Sequence, residues 1–134
     1  MGMRGDVVVV EAARSAIGKR NGSLASTHPV DMLGPLQMEV LRRASVDPAE
    51  VGQVIGGCPG QGGALSANVT RTSWLAHGGP NTVAASTVAS ACGSSQQAFN
   101  LAASLVASGS EDVVLACGID NMSMVPMGSA AIDC

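Results

Sequence analysis

Short apolar runs alternate with segments of helical length along this chain, and that alternation limits the folds it can adopt. The runs lie at residues 7–10, 53–58, 81–91 and 112–118. The first and last are almost continuous stretches of apolar residues, a pattern typical of strands buried on both faces of a sheet. The third is rich in valine and threonine, which favour strands. The sequence therefore predicts four strands.

The first segment between these runs has the periodicity of a helix. From Pro29 to Ala44, apolar residues recur at spacings of three and four, and Thr27 with Pro29 forms a start signal. Pro35 lies within the segment, where it removes a backbone donor. We therefore expect a helix that is kinked at Pro35 or begins after it.

Two further helices are expected. One has Ser66 as its cap and stops at Gly78 and Gly79. It places on one face Val69, Ser73, Trp74 and His77. The other runs from Gln97 to the stop signal at Ser108 and Gly109. Its stripe of apolar residues, predicted to face the core, consists of Ala98, Leu101, Ala102, Leu105 and Val106.

The resulting order, β-α-β-α-β-α-β, predicts an α/β fold in which helices cover an internal sheet. A chain of 134 residues suits one domain over residues 1–134 and can bury roughly two-thirds of its unfolded surface. With one Trp, one Phe and no Tyr, the core must be built from small side chains packed closely.

Charge and cysteine spacing exclude several classes of function. The net charge is −3 and no run of Lys or Arg occurs, which argues against nucleic-acid and membrane-surface partners. The four cysteines, Cys58, Cys92, Cys117 and Cys134, form no CxxC pair, so no metal site is expected. The chain opens without a secretory signal and has no stretch of bilayer-spanning length, so we expect a cytoplasmic protein with reduced thiols.

Cys92 is the candidate for chemistry. In VASACGSSQQAF, residues 88–99, it stands between a predicted strand and a predicted helix. The unpaired amides and the dipole at a helix start favour a thiolate there, and Gly93 permits a sharp turn and close approach of a substrate. We expect the amides of Gly93 to Ser95 to cap the sulfur. Free cysteine is also among the most buried residue types, so these residues alone leave a packing role open.

Four ordered segments carry a resemblance to a known family. CGSSQQA resembles the CGSG-x-QA segment around the acyl-accepting cysteine of the thiolases. EAARSAIGKRNG resembles the family's first strand and loop, and VIGGCPGQGGALSANVTRTSWLAHGGP resembles its G-x-x-x-Q…N-x-x-R…G-x-P stretch. GSEDVVLACGIDNMSMVPM resembles a fourth family segment that ends in M-S-x-x-P-M. The resemblance covers nearly the whole chain.

The resemblance implies acyl transfer to and from coenzyme A, either as thiolysis of a 3-ketoacyl-CoA or as the reverse Claisen condensation. It makes Cys92 the nucleophile that holds the acyl group as a thioester, with acyl-CoA as substrate and no covalently bound cofactor. It implies a layered βαβαβαβ half of a thiolase with a mixed central sheet. It also implies a role in fatty-acid and lipid metabolism and a homo-oligomer, in which the stretch from Gln61 to Arg71 and the strand before Cys92 contact a second subunit.

The chain also departs from the family pattern. Thiolases are about three times as long, and the remainder carries a loop domain, a histidine in a GHP segment and a second cysteine in a CxG segment. The resemblance therefore implies an amino-terminal part that is inactive alone and active only when a complementing part is supplied. A catalytically silent half that pairs with other subunits is an alternative, and a ketoacyl-synthase-like condensing subunit is another, against which NMSMVPM favours a thiolase.

Other candidate residues have less specific interpretations. His28 and His77 are predicted to be surface or helix-end residues. Cys58 and Cys117 are predicted to pack in the interior. Ser95 stands where the family has a glycine, so its side chain occupies space near the sulfur. The three methionines Met122, Met124 and Met127 either fill the core, which we favour, or line an acyl pocket.

Overall fold

Three α-helices and three strands form in the described part of the chain. The computed structural model describes residues 6–129. The elements are α1 (Pro29–Ala44), β1 (Gln53–Gly57), α2 (Val69–Ala76), β2 (Ala84–Val88), α3 (Ser94–Ala107) and β3 (Val114–Gly118), with 3₁₀ turns at Pro48–Glu50 and Gly63–Leu65. The predicted α/β class is confirmed.

The three strands form one parallel sheet with β1 at its centre, in the order β2-β1-β3. Ile55 lies opposite Ser86 on one side and Ala116 on the other. Parallel neighbours need crossover connections, which α2 and α3 provide. Every strand pair within residues 6–129 is parallel, so the antiparallel member of a mixed sheet is not among them. The carboxyl ends of all three strands consequently meet at one edge.

The first predicted strand is not formed. Residues 7–10 have no strand assignment, and the side chains of Val8 and Val10 are each 71% exposed. This segment lies along a groove of about 660 Å³ whose other walls are α1, α3 and β3. A strand is stable when a neighbour takes up its backbone hydrogen bonds. Within residues 6–129 no strand is paired to this segment, so its apolar pattern alone does not form one.

Helix α1 has the predicted bounds and tolerates its internal proline. Its cap is His28 rather than Thr27, and the helix continues through Pro35, whose ring is exposed. The helix ends at Ser45, which has a left-handed φ of 56°. Proline carries no amide donor, so Pro35 makes one hydrogen bond fewer without ending a helix that packs along its length. The later start considered for this helix is therefore not observed.

Helix α2 begins two residues later than expected. Its cap is Asn68, whose side chain accepts a hydrogen bond from the amide of Arg71 at 3.3 Å. The predicted cap, Ser66, instead ends the preceding 3₁₀ turn and donates its hydroxyl to Gly63. The expected inner face is confirmed for Val69, Ser73 and Trp74, which are all buried. Several polar residues precede this helix, so the local sequence does not identify the cap by itself.

Helix α3 begins at Ser94, earlier than predicted, and only part of its apolar stripe is buried. Ala98 and Ala102 are buried against the sheet, whereas Leu101 is exposed and Leu105 and Val106 are half-buried. Small residues face the sheet because the helix approaches it closely. The larger apolar residues therefore lie on its flanks and outer face.

The core is built from small side chains around one tryptophan, as the composition predicts. Trp74 is fully buried and donates its indole N–H to the carbonyl of Pro80 at 2.9 Å. The first cluster consists of Trp74 and the residues around it, Leu41, Val51, Val54, Val83 and Leu115. A second cluster consists of Cys58, Leu65, Val69 and Val125. The two clusters pack the helices against the sheet. Cys92 lies between a strand of this sheet and α3, so its position depends on that packing.

Gly57, at the end of β1, sets the position of α3. A Cβ atom at this residue would lie 2.4 Å from the carbonyl carbon of Ser94 and 2.4 Å from the amide nitrogen of Ser95. Real Cβ atoms do not approach backbone atoms so closely. Only glycine therefore allows the first turn of α3 to lie directly on the end of the central strand.

We predict that Gly57→Ala destabilises the protein by about 2–4 kcal/mol, because the added methyl group displaces the start of α3. Urea denaturation measures the change. Gly60→Ala is the matched control, since a Cβ there meets nothing within 4 Å. Equal stability of the two variants would contradict the proposed close contact.

Candidate active site

Cys92 lies in the tight turn that joins β2 to α3, and its side chain is exposed. Gly93 is the cap residue of α3, so the cysteine stands immediately outside the helix start. The parallel sheet brings this turn to the edge at which the strands end. Cys92 is thus neither enclosed in the core nor placed in the middle of a helix.

The turn uses two of the three amides that were expected to cap the sulfur. Gly93 donates its amide to the carbonyl of Ser90 at 3.0 Å, and Ser94 donates to that of Ala91 at 3.1 Å. The amide of Ser95 has no acceptor within residues 6–129, as expected for the first turn of a helix. The left-handed residue of the turn is Ala91, with φ 46°, and not Gly93, with φ −89°.

The side chain of Ser94 joins both sides of the turn. Its hydroxyl donates to the carbonyl of Ala91 at 2.6 Å and accepts from the amide of Ser90 at 2.9 Å. Ser94 is only 2% exposed. Its polar group therefore serves the backbone around Cys92 and not the solvent.

Ser95, the residue that replaces a family glycine, lies against the end of β3. A Cβ at Gly118 would be 3.0 Å from the Cβ of Ser95 and closer still to its hydroxyl oxygen. The serine side chain therefore fills the space that Gly118 leaves. Ser95 thus joins the first turn of α3 to the end of β3, three residues after Cys92.

A cluster of polar side chains holds β2, the strand that leads to Cys92. Thr87 donates its hydroxyl to Oδ1 of Asn68 at 2.7 Å, with the hydroxyl of Thr70 2.8 Å away. Asn68 donates its amide group to the carbonyl of Ala85 at 2.9 Å. Arg71 donates to the carbonyl of Val83 at 2.9 Å. The N-x-x-R pair thus makes contacts within this chain, and the subunit contact expected from it stays a prediction.

Two other cysteines have the packing roles that the sequence predicts. Cys58 is fully buried, and its thiol donates to the carbonyl of Gly60. Cys117 lies in β3 and accepts a hydrogen bond from the side-chain amide of Gln37. Burial raises the pKa of both thiols, that of Cys117 to about 11. Cys134 lies outside the described residues.

Both histidines are helix-end residues, as predicted. His28 caps α1 by accepting the amide of Val30 at Nδ1. His77 ends α2, with Nδ1 3.2 Å from the carbonyl oxygen of Ser73 and Nε2 3.8 Å from the carboxylate of Asp31. The two side chains are therefore engaged at the ends of α1 and α2, and no hydrogen bond joins either to Cys92.

The favoured interpretation of the methionines is correct for one of three. Met124 is half-buried and packs against the cluster that contains Cys58, whereas Met122 and Met127 are exposed, Met127 by 84%. The exposed pair lines a depression of about 770 Å³ beside the loop at residues 14–21. Cys92 does not line this depression.

Within residues 6–129, no three His, Cys, Asp or Glu side chains group in a way that could hold a metal ion. None of the helices in that part of the chain combines the length and apolar character needed to cross a membrane.

The sequence does not identify the residues that position the turn. It indicates no role for the side chains of Ser94 and Thr87 or for Gly118, because their importance depends on contacts between distant segments. The one local signal is the serine directly after Cys92 and Gly93, since serine hydroxyls commonly bond to nearby backbone groups.

We predict that iodoacetamide labels Cys92 of the native chain at least about tenfold faster than Cys58 or Cys117, because exposed thiols react and desolvated ones do not. Labelling at pH 8 followed by peptide mapping measures each rate. In concentrated urea the three rates should become similar. Equal rates in the native chain would contradict the described burial.

We predict that the free energy of unfolding decreases by about 2 kcal/mol between about pH 9 and pH 11, because burial raises the pKa of Cys117. In that window the unfolded chain releases the thiol proton while the folded chain retains it, so the contribution is fully present below pH 9 and is lost as the pH rises. Urea denaturation across this range measures the fall. Cys117→Ala should show a smaller fall, and an unchanged one would contradict the assignment.

Comparison with known proteins identifies a family. The family model described as the thiolase N-terminal domain matches residues 7–133. A steroid 3-ketoacyl-CoA thiolase of Mycobacterium tuberculosis is 45% identical over 93% of this chain and 31% of its own length. A cytosolic acetyl-CoA acetyltransferase of Rattus norvegicus is 44% identical over 90% of this chain and 30% of its own length.

A solved structure shows the same fold. The acetyl-CoA acetyltransferase of Bacillus anthracis superposes with a TM-score of 0.84 at 37% identity, over 92% of this chain and 31% of that one. The chain thus spans about a third of the length of the relatives it matches. Since the family model covers nearly all of the sequence, the chain belongs to the thiolase family.

Proposed function

We propose that this chain is the amino-terminal part of a coenzyme A-dependent acyltransferase in which Cys92 carries the acyl group as a thioester. The observation that carries the proposal is the exposed thiol of Cys92 in the turn directly before α3. The other described cysteines, Cys58 and Cys117, have raised pKa values and internal partners. Cys92 is therefore the described thiol best placed to attack.

The chemistry is an exchange of one thioester for another. The Cys92 thiolate attacks the carbonyl carbon of an acyl-CoA, a new sulfur–carbon bond forms, and the bond to the sulfur of coenzyme A breaks. Coenzyme A leaves as a thiolate and takes up a proton. Attacking and leaving groups are both thiolates, so the step is nearly balanced, and it serves thiolysis of a 3-ketoacyl-CoA as well as the reverse condensation.

The base that activates Cys92 comes from outside this segment in the proposal. His28 and His77 are engaged at helix ends, and neither bonds to Cys92. Apolar side chains that a complete core would cover are exposed on α3, namely Phe99 and Leu101. A complementing part of about twice this length, as in the relatives, would cover them and bring the missing groups.

The substrate is an acyl-CoA, a class that includes both the acetyl-CoA and the steroid 3-ketoacyl-CoA named in the relatives. A cytoplasmic homo-oligomer that acts in lipid metabolism fits these names and the open edge of β2, which pairs with β1 alone among the described strands. Edge strands with free backbone groups readily take a second strand. Asn68, which belongs to the stretch proposed as a subunit contact, donates its side-chain amide to the carbonyl of Ala85 in β2.

We predict that a chimera with this chain in place of the matching third of the M. tuberculosis relative forms an acyl adduct on incubation with acetyl-CoA. Cys92→Ala should abolish the adduct, because no other described thiol is exposed, while Cys58→Ala should retain it within about threefold. Intact-mass spectrometry measures the adduct. The chain alone should form it at least about a hundredfold more slowly, since it lacks the base.

Two outcomes oppose the proposal. An adduct that persists in Cys92→Ala would assign the chemistry to another residue. A folded, oligomeric chimera that forms no adduct would favour the alternative, a catalytically silent half that pairs with other subunits.

A further inference from the structure

We infer that Ser94 is a positioning residue that fixes the direction of the Cys92 thiol through the backbone on either side of it. The inference rests on the proposed role of Cys92 and assigns no direct contact with substrate to Ser94. Three independent features of the turn support it: the hydrogen bonds of the Ser94 hydroxyl, the backbone conformation of Ala91, and the contact of Ser94 with the sheet.

The hydroxyl of Ser94 uses both its donor and its acceptor capacity on the segment that precedes Cys92. It donates to the carbonyl of Ala91 at 2.6 Å and accepts from the amide of Ser90 at 2.9 Å. Because Ser94 follows Cys92 and its two partners precede it, the bonds close a ring of backbone around the cysteine. Loss of the hydroxyl would leave the amide of Ser90 without its acceptor and the carbonyl of Ala91 with the amide of Ser94 as its only donor within residues 6–129.

The left-handed conformation of Ala91 indicates that contacts with other residues hold the turn. Its φ of 46° lies in the left-handed region, which costs an alanine energy that glycine or asparagine would avoid. The carbonyl of this residue accepts from both the amide and the hydroxyl of Ser94. These two bonds offset the strain, so without the hydroxyl Ala91 is free to return towards an ordinary conformation and rotate the peptide that leads to Cys92.

Ser94 is itself packed against the sheet. It is 2% exposed, and its backbone carbonyl group lies where a side chain on Gly57 would have to be. The ring of hydrogen bonds is therefore anchored to the central strand. The neighbouring Ser95 offers a contrast, since its hydroxyl lies against Gly118 and makes no hydrogen bond within residues 6–129.

The reactivity of Cys92 in the 134-residue chain tests the inference directly. We expect Ser94→Ala to slow alkylation of Cys92 by iodoacetamide at pH 7 about tenfold, because the turn no longer holds the exposed thiol in place directly before α3. Ser94→Thr, which keeps a hydroxyl, should restore most of the rate. Ser104→Ala, which removes an exposed hydroxyl bonded to the carbonyl of Asn100 in the same helix, is the matched control and should change nothing.

Labelling of Cys58 in the same samples separates positioning from folding. A positioning role slows Cys92 while the fully buried Cys58 stays protected. If Ser94→Ala leaves the Cys92 rate unchanged, or if it exposes Cys58 to labelling together with a faster Cys92, the inference is wrong and Ser94 only supports the fold. Amide hydrogen exchange of Ser90 in the unaltered chain gives a second measurement that needs no variant: slow exchange is expected, and exchange at the rate of an unstructured amide would overturn the inference.

These outcomes are distinct from failure of the proposed function. The alkylation rates require no acyl transfer, so Ser94 can control the Cys92 thiol even if the chimera forms no acyl adduct. Conversely, an adduct at Cys92 that forms equally fast in Ser94→Ala would keep the function and remove the role of Ser94.

Discussion

The backbone contact between the start of α3 and the end of β1 is the constraint on which the rest of the structure depends. Gly57 leaves no room for a side chain beneath Ser94 and Ser95, and Gly118 makes a similar approach to Ser95. Two neighbouring strands thus end in glycine where one helix begins. This contact sets a short distance between α3 and the sheet, and for that reason alanines face the strands. It also places the turn with Cys92 at the sheet edge.

Polar side chains hold the strand that enters this turn, while the hydrophobic clusters lie beneath it. Asn68, Thr70 and Thr87 link α2 to β2 through hydrogen bonds that are partly shielded from water, where such bonds are stronger than at the surface. Ser94 continues the same arrangement on the other side of Cys92. The backbone around Cys92 is therefore held from both directions, and the Cys92 side chain is exposed.

The apolar surface that remains uncovered agrees with a chain that spans about a third of its relatives. Val8, Val10, Phe99 and Leu101 are exposed, although the sequence pattern assigns most of them to an interior. A continuous run of valines predicts a strand that is buried in a sheet. Residues 6–129 provide no such surroundings for it, so the predicted first strand is not formed. The apolar stripe on α3 is less buried than predicted for the same reason, since residues 6–129 contain no second layer of residues that covers its leucines.

The sequence by itself determined the α/β class, the bounds of α1, the approximate positions of three strands and the helix-end roles of the two histidines, because these follow from local periodicity and turn residues. The resemblance of four segments to the thiolases identified the family. Only the tertiary structure decided the strand order, the cap at Asn68, the left-handed turn at Ala91 and the role of Ser94. Those features arise from contacts between residues far apart in the chain. The local sequence does not indicate which distant group supplies each hydrogen bond.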